Sequence, residues 1–193
     1  AGERALETLA HHVALPGKEK HRETDFEYLA IMLIDIDNFK AINDTHGHAA
    51  GDAALCKIVE HIKSKLKLRA DEDVFARWGG EEFLLVFRGA SAARILQTKF
   101  GVGKEDKASA RIETIITTTV QMLDGTEKEV SFPVTVSGGI IDYEPGIDVM
   151  RSVAKADRGL LYAKNTGKNR IVGADEVPPD WKPPKREIEK PED

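Results

Sequence analysis

The chain has 193 residues, of which 41% are hydrophobic and 32% charged, and its formal net charge is -5 at pH 7. That length suffices for one domain with its own hydrophobic core, and the acidic balance argues against a general nucleic-acid binder. The single cysteine excludes an internal disulfide framework, no apolar run approaches the roughly 20 residues of a membrane span, and the N-terminus lacks a signal-peptide pattern.

The first half of the chain predicts a buried strand followed by a helix. The run LAIMLIDI, Leu29–Ile36, is apolar until its acidic end, as expected of a strand buried on both faces. A polar stretch punctuated by glycines follows. Beyond it, apolar residues recur at three- and four-residue spacing, which predicts an amphipathic helix. This apolar stripe consists of Leu55, Ile58, Val59, Ile62 and Leu66.

The second half predicts a hairpin and then further helices and strands. Residues 74–78 and 82–87 are rich in strand formers, and the glycines between them can adopt positive φ, which favours a hairpin. Residues 91–123 have a helical pattern interrupted by FGVGKEDK, an insertion or a loop between two helices. Residues 132–141 predict a strand and residues 149–163 a helix. The order βαββαβαβ indicates an α+β fold with a hairpin in the middle of the chain.

The C-terminal sequence ADEVPPDWKPPKREIEKPED is rich in proline and charge. Such a composition buries too little apolar surface to offset the entropy of ordering, so it predicts a disordered tail over residues 174–193. The remainder, residues 1–173, forms one domain. We expect this domain in the cytoplasm, whether or not upstream segments anchor the full-length protein to a membrane.

Two acidic residues close the first predicted strand. Asp35 and Asp37 follow an apolar run, where a carboxylate is desolvated unless it is paired or binds a cation. An equally acceptable interpretation is that both residues cap the strand and face water.

A second acidic pair, Glu81 and Glu82, follows the glycines of RWGGEEF. Side chains alternate along a strand, so one glutamate can point toward the first strand while the other turns elsewhere. A hairpin with an acidic rim explains the pair equally well on its own. If the hairpin lies beside the first strand, however, Asp35 and Glu81 converge as oxygen ligands for Mg²⁺ or Mn²⁺, with substrate phosphates completing the shell.

Two lysines, Lys164 and Lys168, lie in AKNTGKN at the end of the last predicted helix. Four residues apart, they would share one helical face and clamp a phosphate chain. The alternative is a solvated helix end, where lysines interact favourably with the helix dipole. Together with a divalent metal, the pair indicates a nucleoside triphosphate as ligand.

Four motifs in order, DIDNFKAINDTHGHAAGD, RWGGEEF, SGGI and ADRGLLYAKNTGKN, resemble the GGDEF domain of diguanylate cyclases. The resemblance covers residues 29–173, with glutamate in place of the aspartate of the family motif. It implies the nucleotidyl-cyclase palm, a ferredoxin-like fold with a central, mostly antiparallel sheet flanked by helices. That fold agrees with the order of elements.

The resemblance also implies roles for individual residues. Asp35 and Glu81 would hold Mg²⁺ or Mn²⁺ together with the backbone carbonyl of Ile36. Asn43 and Asp52 would bind guanine, since a carboxylate accepts hydrogen bonds from the N1–H and N2–H₂ groups of that base. The other implied site residues are His48 in the guanine pocket, Lys40, Lys164 and Lys168 at the triphosphate, Glu82 at the metal or substrate, and Gly79 and Gly80 at the close approach of the nucleotide.

The implied function is a cyclase that condenses two GTP molecules into cyclic di-GMP and two pyrophosphates. The catalytic pair would be Glu81, which accepts the proton, and Glu82. Each domain would hold one GTP, so catalysis would need a transient homodimer with the domains face to face. One alternative is a catalytically silent module that binds GTP or cyclic di-GMP as a sensor. Another is a cyclase or polymerase palm with a different substrate, against which Asn43 and Asp52 favour guanine.

Three features depart from the family pattern. The stretch D-x-L-T-G-L-x-N-R is absent apart from Glu3-Arg4, so we expect an excised domain whose sensory partner lies upstream. In the inhibitory R-x-x-D motif Asp73 is in place, but Ala70 stands at the arginine position and Arg69 is one residue out of register. Since neighbouring side chains of an extended segment point to opposite faces, we expect weak binding of cyclic di-GMP there, whereas a bulge in the loop RADED would restore the reach of Arg69. The third departure is the extra length at FGVGKEDK.

Overall fold

The structure, a computed structural model, describes residues 28–101, 110–121, 125–144 and 146–184 and has one sheet with helices on both faces. No helix in these ranges is long and apolar enough to cross a membrane. In chain order the elements are β1 (Leu29–Ile36), α1 (Phe39–His46), α2 (His48–Leu66), β2 (Val74–Arg77), β3 (Glu82–Arg88), α3 (Ala92–Phe100), β4 (Ile112–Gln121), β5 (Glu127–Asp142), α4 (Val149–Asn165) and β6 (Ile171–Gly173).

The strands of the described residues form one sheet in the order β2-β3-β1-β5-β4, with neighbours antiparallel, and β6 pairs in parallel with β5. β1 lies in the centre, between β3 and β5. The long β5 pairs with β4 along its first part and, from Gly138, with β6. The predicted α+β class with a mostly antiparallel sheet flanked by helices is therefore confirmed.

Alternation along β1 sorts the core into two layers. Met32 and Ile34 belong to the larger apolar cluster, which includes residues of α1, α2 and α3. Ile31 and Leu33 belong to the smaller cluster, which they share with α4. Asp35 continues this second series, so the pleat of the strand places its side chain on the α4 face of the sheet. Among the helices of the described residues, α4 is therefore the one positioned to cover this carboxylate.

The close approach of α4 to the sheet depends on two facing glycines. A Cβ at Gly139 of β5 would lie 2.0 Å from the carbonyl oxygen of Ala156 and 2.6 Å from the amide nitrogen of Leu160. A Cβ at Gly159 of α4 would lie 3.0 Å from the Cα of Gly139. Because neither glycine has a Cβ, α4 can pack directly on the backbone of β5.

Residues 112–121 form strand β4, so the helical prediction for residues 91–123 is wrong over that strand. Ile112, Ile116 and Val120 are buried at four-residue spacing, which suits one face of a strand as well as a helical stripe. Eight of the ten residues of β4 are β-branched, a composition that favours a strand. The period-two alternation of burial along β4 then confirms the strand.

The first part of the predicted tail packs against α4, in contrast to the predicted disorder. Val177 is only 3% exposed, and the ring of Trp181 meets that of Tyr162 edge-on with centroids 5.2 Å apart. The guanidinium of Arg158 donates to the carbonyls of Pro178, at 2.6 Å, and Trp181, at 3.2 Å. Two apolar anchors and one arginine thus hold a segment whose average composition is polar.

Some predicted features lie outside the described residues. These are residues 1–27, with the expected remnant Glu3-Arg4, residues 102–107 of the predicted insertion, and residues 185–193 of the predicted tail. Gly101, which ends α3 with a φ of 69°, is the last residue described before residue 102.

Candidate functional site

The side chain of Asp35 lies buried at the end of β1. Its Cα pairs with Glu82 of β3 on one side and with Ser137 of β5 on the other. Asp35 is 4% exposed, and its Oδ2 lies 2.6 Å from Lys164 Nζ at the end of α4. Asp37 is 5% exposed. The interpretation that the two aspartates face water is therefore wrong.

Burial raises the pKa of Asp35 from 3.8 to about 6, because the ionised carboxylate loses its water. The hydrogen bond and charge of Lys164 oppose this rise, whereas the charges of Glu81 and Glu82 add to it. The charges of Glu81 and Glu82 thus oppose the ionisation of Asp35, for which Lys164 is the counter-charge. This imbalance favours the binding of a further cation.

The turn between β2 and β3 is held by backbone and arginine hydrogen bonds. The amides of Trp78 and Gly79 donate to the carbonyl of Glu82 at 2.8 and 3.3 Å. Nε of Arg77 donates to the carbonyls of Gly79 and Gly80 at 3.2 and 3.0 Å. Sequence reasoning missed this role of Arg77, although an arginine directly before the turn was a local signal for it. The predicted hairpin is confirmed.

The turn does not depend on the positive φ that was expected of its glycines. Neither Gly79 nor Gly80 has a positive φ. A Cβ at Gly79 would lie 2.7 Å from Glu82 Oε2, whereas a Cβ at Gly80 would meet nothing within 4 Å. Gly79 therefore leaves room for the Glu82 carboxylate, and Gly80 leaves the outer surface of the turn open.

The residues at this strand end fit a hard divalent cation. The amide of Ile36 donates to the carbonyl of Glu81 at 3.3 Å, which ties the hairpin to the end of β1 beside Asp35. Within the described ranges, no three His, Cys, Asp or Glu side chains form a cage that would hold an ion alone. If Asp35, Glu81 and the backbone carbonyl of Ile36 held the ion, they would leave positions for phosphate oxygens, as Mg²⁺ prefers.

The predicted guanine-binding residues lie at the corner between α1 and α2. Gly47, with a φ of 84°, separates the two helices. A Cβ at Gly51 would lie 1.9 Å from Asn43 Oδ1, so the side chain of Asn43 rests on the first turn of α2, next to Asp52. Asp52 and His48 are exposed at the same corner. Lys40, also exposed, lies one turn before Asn43 on α1.

Lys164 and Lys168 do not share a helical face, so that part of the prediction is wrong. α4 ends at Asn165, and Lys168 lies in a turn with a φ of 59°. Lys168 Nζ donates to Asn38 Oδ1 at 2.5 Å, while Lys164 contacts Asp35. The two ammonium groups nevertheless both reach residues at the C-terminal end of β1.

Asp37 accepts hydrogen bonds from three donors. These are Thr135 Oγ1 at 2.8 Å, Ser137 Oγ at 2.7 Å and the backbone amide of Asn169 at 2.9 Å. Asp37 thus joins β1 to β5 and to the turn after α4. The partners lie 98 to 132 residues further along the chain, so no local sequence pattern pointed to them.

Arg69 and Asp73 form an ion pair within a turn, whereas an extended segment was expected. The amide of Asp73 donates to the carbonyl of Arg69 at 2.8 Å. Arg69 Nε and Nη2 donate to the Asp73 carboxylate at 3.2 and 2.8 Å, which raises the pKa of Arg69. Burial raises the pKa of Asp73, but the bonds from Arg69 outweigh it and lower this pKa overall. The turn thus brings Arg69 close to Asp73, but the guanidinium of Arg69 is occupied by this ion pair.

The sequence matches one family over most of its length. The sequence model described as "Diguanylate cyclase, GGDEF domain" matches residues 10–170. The chain belongs to the GGDEF domain family. Curated relatives of this GGDEF domain include Diguanylate cyclase A of Treponema denticola, 36% identical over 147 residues, and Diguanylate cyclase DgcM of Escherichia coli, 30% identical over 165 residues. The matches cover 76% and 85% of this chain, which spans about a third (35%) of each relative.

Solved GGDEF structures share the fold. The diguanylate cyclase SiaD of Pseudomonas aeruginosa, solved with its activator SiaC, is 30% identical with a TM-score of 0.59, covering 86% of this chain and 57% of that one. A microbial GGDEF domain studied for its interaction with cyclic di-GMP is 28% identical with a TM-score of 0.56, covering 89% of both chains. The GGDEF fold implied by the four motifs is thus confirmed.

Proposed function

We propose that this GGDEF domain is an active, metal-dependent diguanylate cyclase. The observation that carries the proposal is the convergence of Asp35 with Glu81 and Glu82, with Lys164 as their counter-charge. Burial and the charges of Glu81 and Glu82 oppose the ionisation of Asp35, and a bound metal ion would offset that cost and assist the reaction. The names of the two curated relatives support this class of reaction.

In the proposed reaction two GTP molecules yield cyclic di-GMP and two pyrophosphates. The 3′-hydroxyl oxygen of each GTP attacks the α-phosphorus of the other and forms a new P–O bond. The bond from that phosphorus to the oxygen bridging to the β-phosphorus breaks, and pyrophosphate leaves with the electron pair. Each hydroxyl proton passes to a base, which we assign to Glu81 with Glu82 as its neighbour.

Asp35, Glu81 and the carbonyl of Ile36 would hold Mg²⁺ or Mn²⁺. When bound, such an ion lowers the pKa of the attacking hydroxyl and stabilises the negative charge that develops on the phosphate. Lys164 neutralises Asp35 in the absence of the ion. Its side chain is 32% exposed, so it has room to turn toward a phosphate once a cation replaces it at Asp35.

Asn43 and Asp52 support GTP over ATP as the substrate. A carboxylate at position 52 accepts from the N1–H and N2–H₂ donors of guanine, whereas adenine presents an unprotonated N1. His48 would border the base, and Lys40 and Lys168 would contact the phosphates. One domain would then hold one GTP, so the reaction would need two domains face to face.

The test is incubation of the protein with GTP and Mg²⁺ over a wide dilution series, followed by chromatography and mass spectrometry. We expect cyclic di-GMP, one pyrophosphate per GTP consumed, and a rate per protein that falls on dilution. ATP is the matched control and should give no cyclic dinucleotide. If GTP or cyclic di-GMP binds but no product forms at any protein concentration, the silent sensor replaces the cyclase.

A further inference from the structure

We propose that Asp37 is a positioning residue that holds the turn of residues 167–169, and with it Lys168, at the substrate phosphates. The role at the phosphates rests on the proposed function, whereas the role in holding the turn does not. The proposal gives the two aspartates at the end of β1 different tasks. Asp35 would bind the metal, and Asp37 would act through Lys168 without touching the substrate.

The hydrogen bonds of Asp37 fit a structural acceptor. Oδ2 accepts from Thr135 Oγ1 at 2.8 Å and from the amide of Asn169 at 2.9 Å, and Oδ1 accepts from Ser137 Oγ at 2.7 Å. The residue is 5% exposed. Both oxygens are therefore occupied and shielded from water, whereas Asp35 is paired through Oδ2 with the flexible side chain of Lys164.

The turn that Asp37 holds has an unfavourable backbone. Lys168 and Asn169 follow one another with φ values of 59° and 45°, a left-handed conformation that residues other than glycine seldom adopt in succession. Such strain persists only where the surroundings hold the backbone from several directions. The amide of Asn169 is bound by Asp37, the amide of Lys168 by the carbonyl of Ala163 at 2.9 Å, and the side chain of Asn169 by Glu113 at 2.6 Å.

This backbone directs Lys168 back toward β1. Its Nζ donates to Asn38 Oδ1 at 2.5 Å, directly after Asp37 in the chain. If the turn relaxed toward an ordinary right-handed conformation, the Lys168 side chain would leave the end of β1. Phosphate binding depends on the position of the lysine ammonium group. Loss of the hydrogen bond from the Asn169 amide to Asp37 should therefore weaken triphosphate binding.

Two substitutions at position 37 test whether Asp37 acts as a hydrogen-bond acceptor or through its negative charge. In Asp37→Asn, the amide oxygen can take the place of Oδ2 and keep the bonds from Thr135 and Asn169. The amide nitrogen then faces Ser137, whose hydroxyl accepts as well as donates. In Asp37→Ala the amide of Asn169 loses its acceptor, so only this variant should release the turn.

The first experiment measures amide hydrogen exchange of residues 166–170 without nucleotide. We expect exchange about tenfold or more faster in Asp37→Ala and close to wild type in Asp37→Asn. Asp148→Ala is the matched control, because it removes an aspartate that accepts from a backbone amide, Met150 at 3.0 Å, at the opposite end of α4. It should leave exchange at residues 166–170 unchanged. Unchanged exchange in folded Asp37→Ala would overturn the proposal.

The second experiment measures binding of a non-hydrolysable GTP analogue with Mg²⁺ in a double-mutant cycle. Asp37→Ala should weaken binding about tenfold with Lys168 present and hardly at all in the Lys168→Ala background. An equal loss in both backgrounds would overturn the proposal. If Asp37→Ala does not fold, Asp37→Asn tests the proposal in its place. Weaker binding of the GTP analogue, or faster amide exchange at residues 166–170, in folded Asp37→Asn would contradict the role of Asp37 as a hydrogen-bond acceptor. If wild type does not bind the analogue, the proposed function fails, and the exchange experiment still tests the turn.

Discussion

Replacing Asp35 by asparagine should stabilise the metal-free domain, although it removes a proposed metal ligand. The substitution keeps the shape of the side chain and an acceptor for Lys164 Nζ, which lies 2.6 Å from the carboxylate. It removes the buried negative charge that Glu81 and Glu82 repel. Metal binding would require aspartate at position 35, whereas the metal-free fold would be more stable with asparagine. The stability of Asp35→Asn therefore distinguishes a metal site from a structural ion pair.

The magnitude follows from the pKa of Asp35, which is 3.8 as the ordinary value and about 6 in the folded domain. A difference of about two pKa units, at ~1.4 kcal/mol per unit, destabilises the wild type by about 3 kcal/mol above pH 6. Between these pKa values the folded state binds more protons than the unfolded state, so wild-type stability falls as pH rises from about 4 to 6. Below that window the penalty disappears.

The assay is thermal or urea unfolding of wild type and Asp35→Asn in the presence of a chelator, from pH 4 to pH 8. We expect the variant to be more stable by about 1 to 3 kcal/mol at pH 7, the lower values allowing for a weaker bond to Lys164, and by little at pH 4. For a domain of this size that is roughly 2 to 12 °C in Tm. Addition of Mg²⁺ should stabilise only the wild type. A variant less stable than wild type at pH 7 would refute the reasoning.

Three further predictions concern packing and feedback. Gly139→Ala should lower the free energy of unfolding by more than about 2 kcal/mol, because its Cβ would lie 2.0 Å from a carbonyl oxygen of α4. Gly80→Ala should be nearly neutral, and denaturant titration measures both variants. Trp181→Ala should cost about 1 to 2 kcal/mol and speed amide exchange at the end of α4, while equal stability would mean that residues 177–184 do not hold that helix. Arg69→Ala should leave the affinity for cyclic di-GMP unchanged in calorimetry, because the guanidinium of Arg69 is paired with Asp73. Tight binding that survives a saturating GTP analogue and vanishes in Arg69→Ala would show that Arg69 binds the dinucleotide.

Elements with a local signal could be predicted from the sequence. The apolar run of β1 and the stripe of α2 report burial directly, and the Gly-Gly pair marks a turn between two strands. β4 could not be assigned from its apolar spacing, because Ile112, Ile116 and Val120 fit both periods. Its β-branched composition was the better guide. In the tail, average polarity concealed two apolar side chains, Val177 and Trp181, that are enough to fix a short segment.

The candidate site could be predicted only where its residues cluster in the sequence. Asp35, Glu81 and Glu82 lie in two short motifs, and pairing of β1 with β3 brings them together. The partners of Asp37 lie on β5 and beyond α4, so they emerge only in the folded chain. The predicted helical face of two lysines failed because Lys168 adopts a left-handed backbone that its sequence does not require.

The most direct test of the proposed activity is product formation from GTP and Mg²⁺ by wild type and Glu81→Gln, measured side by side by mass spectrometry. Glu81→Gln keeps the shape of the side chain but removes the charge proposed to hold metal and accept the proton. Glu129→Gln, at an exposed position on β5, is the matched control for loss of one glutamate charge. We predict cyclic di-GMP from wild type and Glu129→Gln and none from Glu81→Gln, with the three proteins equally folded by circular dichroism. Undiminished cyclic di-GMP from folded Glu81→Gln would contradict the proposed site.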